Sequence, residues 1–148
     1  MSMSPPPLFT IGYEGRTLAE FLDVLREASV ELLIDVRAVA ASRRPGFSKT
    51  ALSGAVREIG INYAHLRPLG TPKAGRDAAR KGRIAEMRAI YEEQLATPEA
   101  QLALQQAQAS ALERRVALLC FERDAACCHR EIVAERLVEQ SGFEVRNL

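Results

Sequence analysis

The residues best suited to chemistry lie in two short stretches near the end of the chain. Leu119-Cys120-Phe121-Glu122 carries a thiol and a carboxylate two positions apart. Cys127-Cys128-His129-Arg130 carries two more thiols, an imidazole and a guanidinium. If this second stretch opens a helix, its free N–H groups and the helix dipole form an anion site. The same field favours a thiolate, and Arg123 or Arg130 nearby lowers a thiol pKa further. The chemistry this suggests is a nucleophilic or redox cysteine, with Cys128 the candidate and His129 or His65 its partner. The plain alternative is that Cys120 and Cys127 are small buried hydrophobes. A metal is the weaker chemical option. Cys120, Cys128, His129, His65 and Glu122 are all suitable donors, but no pair has the spacing of a zinc knuckle. Adjacent residues such as Cys127 and Cys128 also point about 100° apart on a helix. No cofactor is expected on this reading.

Two familiar cysteine loops do not fit. Residues 121–126 read Phe-Glu-Arg-Asp-Ala-Ala, without the glycine of a rhodanese-type loop, and Ala126 stands where a Cys-x5-Arg phosphatase loop needs its arginine. The remaining reactive candidates are Asp35, Glu122 and His65, each at the end of an expected strand. A carboxylate there can serve as a general base or orient a histidine, or can simply satisfy an ion pair. His65 shares a face with Ile61 and Tyr63. Tyr13 and Glu14 follow the first expected strand and are secondary candidates, with Cys120 and Lys73.

Charge is strongly segregated along the chain. Residues 37–49 and 67–83 together hold 10 of the 20 basic residues and one of the 19 acidic ones, so they carry +9 against −8 elsewhere. Such asymmetry implies a positive face built from two segments. Arg37, Arg43, Arg44, Lys49 and Arg130 are the candidate anion ligands, because the planar fork of arginine suits phosphate.

The elements that must position these residues alternate between strand and helix. Leu8–Gly12 reads as a strand. Thr17 and Glu20 form a capping box for a helix with Leu18, Phe21, Leu22, Leu25 and Ala28 on one face. Leu32–Val36 is a near-continuous apolar strand, as expected when both faces are covered. Ser48 can cap a second helix that stops at Gly60, and Ile61–Leu66 is a third strand. Residues 67–82 read as a long polar loop punctuated by glycines and proline. Helices are expected over 84–95 and from Pro98 to about Arg114, with Thr97 at the cap. A fourth strand spans Val116–Phe121, a helix runs from about Ala126 to Gln140, and a last strand covers Phe143–Asn147. The expected fold is therefore a single three-layer α/β domain over residues 8–148, with a mainly parallel sheet of about five strands and helices on both faces. Residues 1–7, with three consecutive prolines, form a flexible tail. Length supports this: 148 residues fit one domain and suffice for a full core. No apolar run is long enough to span a membrane, there is no secretory signal, and three cysteines do not make a disulfide framework, so a reduced, cytoplasmic protein is expected.

Six segments together resemble a known family. Ile11-Gly12-Tyr13-Glu14-Gly15, Ile34-Asp35-Val36-Arg37, Ser42-Arg43-Arg44-Pro45-Gly46-Phe47-Ser48-Lys49, Gly60-Ile61-Asn62-Tyr63-Ala64-His65-Leu66, Leu69-Gly70-Thr71-Pro72-Lys73, and Leu119-Cys120-Phe121-Glu122 followed by Cys128-His129-Arg130 are similar to the domain-of-unknown-function 488 family. The resemblance covers nearly the whole chain and implies one α/β domain without implying a reaction. Two function classes follow from the residues. One is an enzyme acting on a phosphate-bearing or other anionic small molecule at the carboxyl ends of the strands. The other is a nucleic-acid-binding module, with nuclease or base-modifying activity, gripping backbone phosphates with residues 67–83. The few aromatic residues argue against a base-stacking platform.

Overall fold

In the computed structural model, which describes residues 4–125 and 128–148, five parallel strands form one sheet in the order β3-β2-β4-β1-β5. They are β1 (Leu8–Gly12), β2 (Leu32–Asp35), β3 (Asn62–His65), β4 (Val116–Cys120) and β5 (Val145–Asn147). The central three are buried along their whole length, whereas the edge strands β3 and β5 are partly or fully exposed. This is why the central strands read as unbroken apolar runs.

Among the described residues there are six α-helices: α1 (Leu18–Glu27), α2 (Lys49–Glu58), α3 (Lys73–Arg80), α4 (Ile84–Leu95), α5 (Pro98–Glu113) and α6 (His129–Ser141). Strand alternation divides the core in two. Phe9, Ile11, Leu33, Ala117 and Leu119 pack against Phe21 and Leu25 of α1 and Leu52 and Val56 of α2. Leu8, Leu32, Ile34, Val116, Leu118 and Cys120 face the other way, toward α4, α5 and α6. The expected single three-layer α/β domain is thus the observed one. Among the described residues no helix is long and apolar enough to cross a membrane.

Capping at α1 and α5 follows the expected chemistry. Thr17 accepts from the Glu20 N–H and Thr97 from the Ala100 N–H. Ser48 occupies the cap position of α2, but its hydroxyl makes no cap bond; it accepts from the Ser42 N–H and donates to the Ser42 carbonyl, closing the 42–48 loop.

One segment departs from expectation. Residues 67–82 are not an extended polar loop: Arg67–Leu69 forms a 3-10 turn and Lys73–Arg80 forms α3. The glycine that disguised the helix has a packing role. A Cβ on Gly75 would lie 2.4 Å from Thr71 Cγ2, so a bare backbone is what lets the Thr71 side chain pack against the first turn of α3. The sixth helix is shorter at its start than expected. His129 is its first residue and Cys128 its cap, while Ala126 and Cys127 fall outside the described residues. At the other end of the chain, residues 5–7 are half-buried and carry no regular structure.

Candidate functional site

The topology creates a crevice before any side chain is considered. From β1 the chain moves through α1 on one face, and from the adjacent β4 it moves through α6 on the other. Adjacent parallel strands whose connections leave on opposite faces open a gap at their carboxyl ends. A cavity of about 820 Å³ sits there. Tyr13 and Glu14 after β1, Arg37 to Val39 after β2, and Cys120 to Glu122 at the end of β4 line it. His129 contributes from α6, and Thr71, Arg76, Arg80 and Met87 close it from α3 and its neighbours. The crevice is kept narrow by Gly12: a Cβ there would lie 1.8 Å from the Glu122 carbonyl oxygen.

Cys120, Cys128 and His129 converge in the buried part of this region, with their donor atoms all within 4.8 Å of one another. Cys120 reaches the cluster because its position on β4 shares the face of Val116 and Leu118. Cys128 and His129 reach it because α6 begins there. His129 Nε2 lies 2.6 Å from the Val36 carbonyl oxygen, which can only accept, so Nε2 carries the proton. Nδ1 then lies 3.8 Å from the Cys128 sulfur, and the Cys120 sulfur sits alongside the ring, 3.7 Å from Nδ1 and 4.0 Å from Nε2. The ring packs edge-on against Tyr91, whose hydroxyl donates to the Leu69 carbonyl at 2.6 Å. Burial, reinforced by the Cys120 sulfur, pushes the Cys128 thiol well above its usual value near 9. That is opposite to the direction expected from a helix N-terminus, because desolvation of a fully enclosed thiolate outweighs the dipole.

Glu122 lines the cavity, and its Oε2 is buried without a hydrogen-bond partner among the described residues. Glu14 is exposed and accepts from the Arg123 N–H at 3.0 Å. Tyr13 is buried, stacked on Phe47 with centroids 4.6 Å apart.

Other candidates are placed elsewhere. Asp35 is fully buried and does not line the cavity. Its Oδ1 accepts from Arg37 Nε at 2.9 Å and from the Arg37 N–H at 3.0 Å, and its Oδ2 accepts from Arg37 Nη2 at 2.7 Å and from the Tyr63 hydroxyl. Arg37 also donates from Nη1 to the Phe47 carbonyl at 2.7 Å, so its fork anchors the 37–47 loop. His65 is half-buried on the edge strand, with Nε2 2.7 Å from the Arg37 carbonyl, and does not reach the cavity. Arg130 is fully buried; it donates from Nη1 to the Glu122 carbonyl and from Nη2 to the Arg123 carbonyl at 3.1 Å. Arg44 donates to the Arg16 carbonyl and lies over the Phe47 ring. Arg43 and Lys49 are exposed and away from the cavity, and Lys73 borders a shallower depression beside Arg67 and Pro72.

The cationic residues that line the cavity besides Arg37 are Arg76 and Arg80 of α3. They were not among the anion ligands expected from the sequence. Their spacing of four puts both on one side of a helix, a signal hidden by reading the segment as a loop.

The fold and this crevice define a parallel α/β protein with a cavity at a topological switch point. The chain belongs to the family described as Domain of unknown function DUF488, whose sequence profile matches residues 17–137. No significant match was found among curated proteins or among solved structures.

Proposed function

We propose that the protein is an enzyme acting on a phosphate-bearing or other anionic small molecule held in the switch-point cavity. The observation that carries this reading is the composition of that cavity. Arg76 and Arg80 stand on one wall, and Glu122, Cys120 and His129 lie where β4 and α6 meet. Arg76 donates from Nη1 to the Thr71 carbonyl at 2.9 Å and Arg80 pairs through Nη1 with Asp77 at 3.1 Å; their remaining N–H groups supply charge-assisted hydrogen bonds to the anion. Glu122, whose Oε2 has no protein partner among the described residues, is the candidate proton acceptor. Arg37 takes a positioning role in this reading: its charge is neutralised by Asp35, and it sets the backbone of residues 38–41 that forms part of the lining. Arg130 likewise positions Glu122 through the Glu122 carbonyl. A reducing, cytoplasmic setting suits the cysteines of this site.

A second reading rests on a different observation. Lys73, Arg80, Lys81 and Arg83 are exposed along and just after α3, a strip of charge able to follow a nucleic-acid backbone. The concave shape of the site favours the small ligand.

Ligand-dependent thermal unfolding of the full chain, screened against inorganic phosphate, phosphorylated sugars and nucleotides, tests the proposal. A phosphorylated small molecule should raise the melting temperature. R76A and R80A should each weaken its binding about ten- to a hundredfold, the worth of one charge-assisted hydrogen bond. Stabilisation by oligonucleotides and by none of the small anions would overturn it in favour of the second reading.

A further inference from the structure

We propose that Cys120, Cys128 and His129 form a binding site for a thiophilic divalent cation, zinc being the natural occupant, with one coordination position open to the cavity. The inference stands on the geometry of the three side chains and is independent of the anionic-substrate reading.

Three features of the geometry point to a metal. The first is the imidazole. A ligating histidine almost always donates its second ring N–H to a carbonyl or carboxylate, which fixes the tautomer and turns the other nitrogen toward the metal. His129 donates from Nε2 to the Val36 carbonyl at 2.6 Å and leaves Nδ1 as the unprotonated nitrogen, 3.8 Å from the Cys128 sulfur, while the Cys120 sulfur lies beside the ring, 3.7 Å from Nδ1 and 4.0 Å from Nε2. The second is spacing. Bond lengths of about 2.3 Å to sulfur and about 2.05 Å to nitrogen, at a tetrahedral angle, separate the sulfur and nitrogen by about 3.6 Å. The observed separations are 3.7 and 3.8 Å. The third is charge. Two thiolates and a neutral imidazole bring the total to zero around a divalent cation, which suits a site whose three members are all buried.

Cys120 and His129 line the cavity, whereas Cys128 lies behind them. The fourth tetrahedral position therefore faces the cavity, where a water molecule or a substrate group can occupy it. Three protein ligands plus one exchangeable position is the pattern of a catalytic rather than a structural zinc centre. Glu122 also lines the cavity, so a carboxylate would be available to a water molecule taking that position. On binding, each cysteine exchanges its S–H bond for a bond to the metal, and two protons leave to solvent; no oxidant or reductant takes part. The zinc-knuckle spacing that the sequence lacks is not needed, since β4 and α6 supply the ligands from opposite sides of a loop.

The test is cobalt(II) titration of the reduced full-length protein. We expect one cobalt per chain, an intense thiolate-to-cobalt charge-transfer absorption with visible d–d bands of a tetrahedral centre, displacement by zinc, and release of about two protons per metal at a pH below the thiol range. C120S and C128S should each cut the charge-transfer intensity by at least half, and the double variant should abolish it, while leaving the far-ultraviolet circular dichroism unchanged. Should either variant fail to fold, alkylation of the wild-type protein serves instead: zinc should slow modification of Cys120 and Cys128, mapped by peptide mass. The proposal is overturned if the reduced protein gives no charge-transfer band, if the band keeps its full intensity in either serine variant, or if zinc leaves the alkylation of both cysteines unchanged.

Discussion

Asp35 and Arg37 bury opposite charges in one place, and the energetic consequence is asymmetric. Removing both together is nearly neutral in many proteins, but removing one strands the other. Arg37→Gln is expected to cost about 3–5 kcal/mol in chemical denaturation, because Asp35 is fully enclosed and would keep only the Tyr63 hydroxyl and the residue-37 N–H as donors. Tyr63 is tied to the same carboxylate. Burial and the Asp35 charge push its hydroxyl well above the usual value near 10. The folded protein therefore keeps a proton that the unfolded chain releases near pH 10, so stability falls as pH rises above about 10. Tyr63→Phe should be less stable near neutrality but should show a flatter alkaline limb, measured by urea unfolding across that range. An alkaline slope unchanged by the substitution would mean that Asp35 does not hold that proton.

At the scale of elements, the site depends on how closely the turn after β1 approaches the segment after β4. Gly12 permits that approach: its absent Cβ would meet the Glu122 carbonyl carbon at 2.5 Å and Arg123 Cα at 2.9 Å, both backbone atoms that cannot swing away. Gly12→Ala should destabilise the protein by about 1–3 kcal/mol through overpacking. It should also weaken ligand binding to the cavity, because the displaced segment carries Glu122. A variant with wild-type melting temperature and ligand affinity would contradict this. Arg130 secures the same segment from α6 through the Glu122 and Arg123 carbonyls. Arg130→Ala is therefore expected to loosen residues 122–124, seen as faster amide exchange there than in β4.

Over the whole molecule, the segregated charge meets a concave site rather than a flat one. On the proposal of a small anion held by Arg76 and Arg80, affinity should fall less than about tenfold between about 50 and 200 mM salt, whereas a protein making 6–10 phosphate contacts on a duplex loses about 10³–10⁵. Titrating a phosphorylated ligand and an oligonucleotide at both salt concentrations separates the two readings of the basic residues.

Much of this architecture was legible in the linear order of residues. The buried strands β1, β2 and β4 announce themselves as apolar runs, and Thr17 and Thr97 mark helix starts through local cap bonds made within three residues. Such signals are short-range and survive in one dimension. The role of each arginine is not short-range. Arg37, Arg44 and Arg130 look equally suited to an anion, yet tertiary packing sets each against a protein acceptor on another part of the chain or on its own loop. Arg76 and Arg80 reach the cavity because residues 73–80 form a helix where the composition suggests a loop. Cys120 and the Cys128–His129 pair belong to different elements. That their donor atoms lie within 4.8 Å of one another was decided by how α6 docks on the sheet face that carries Val116, Leu118 and Cys120.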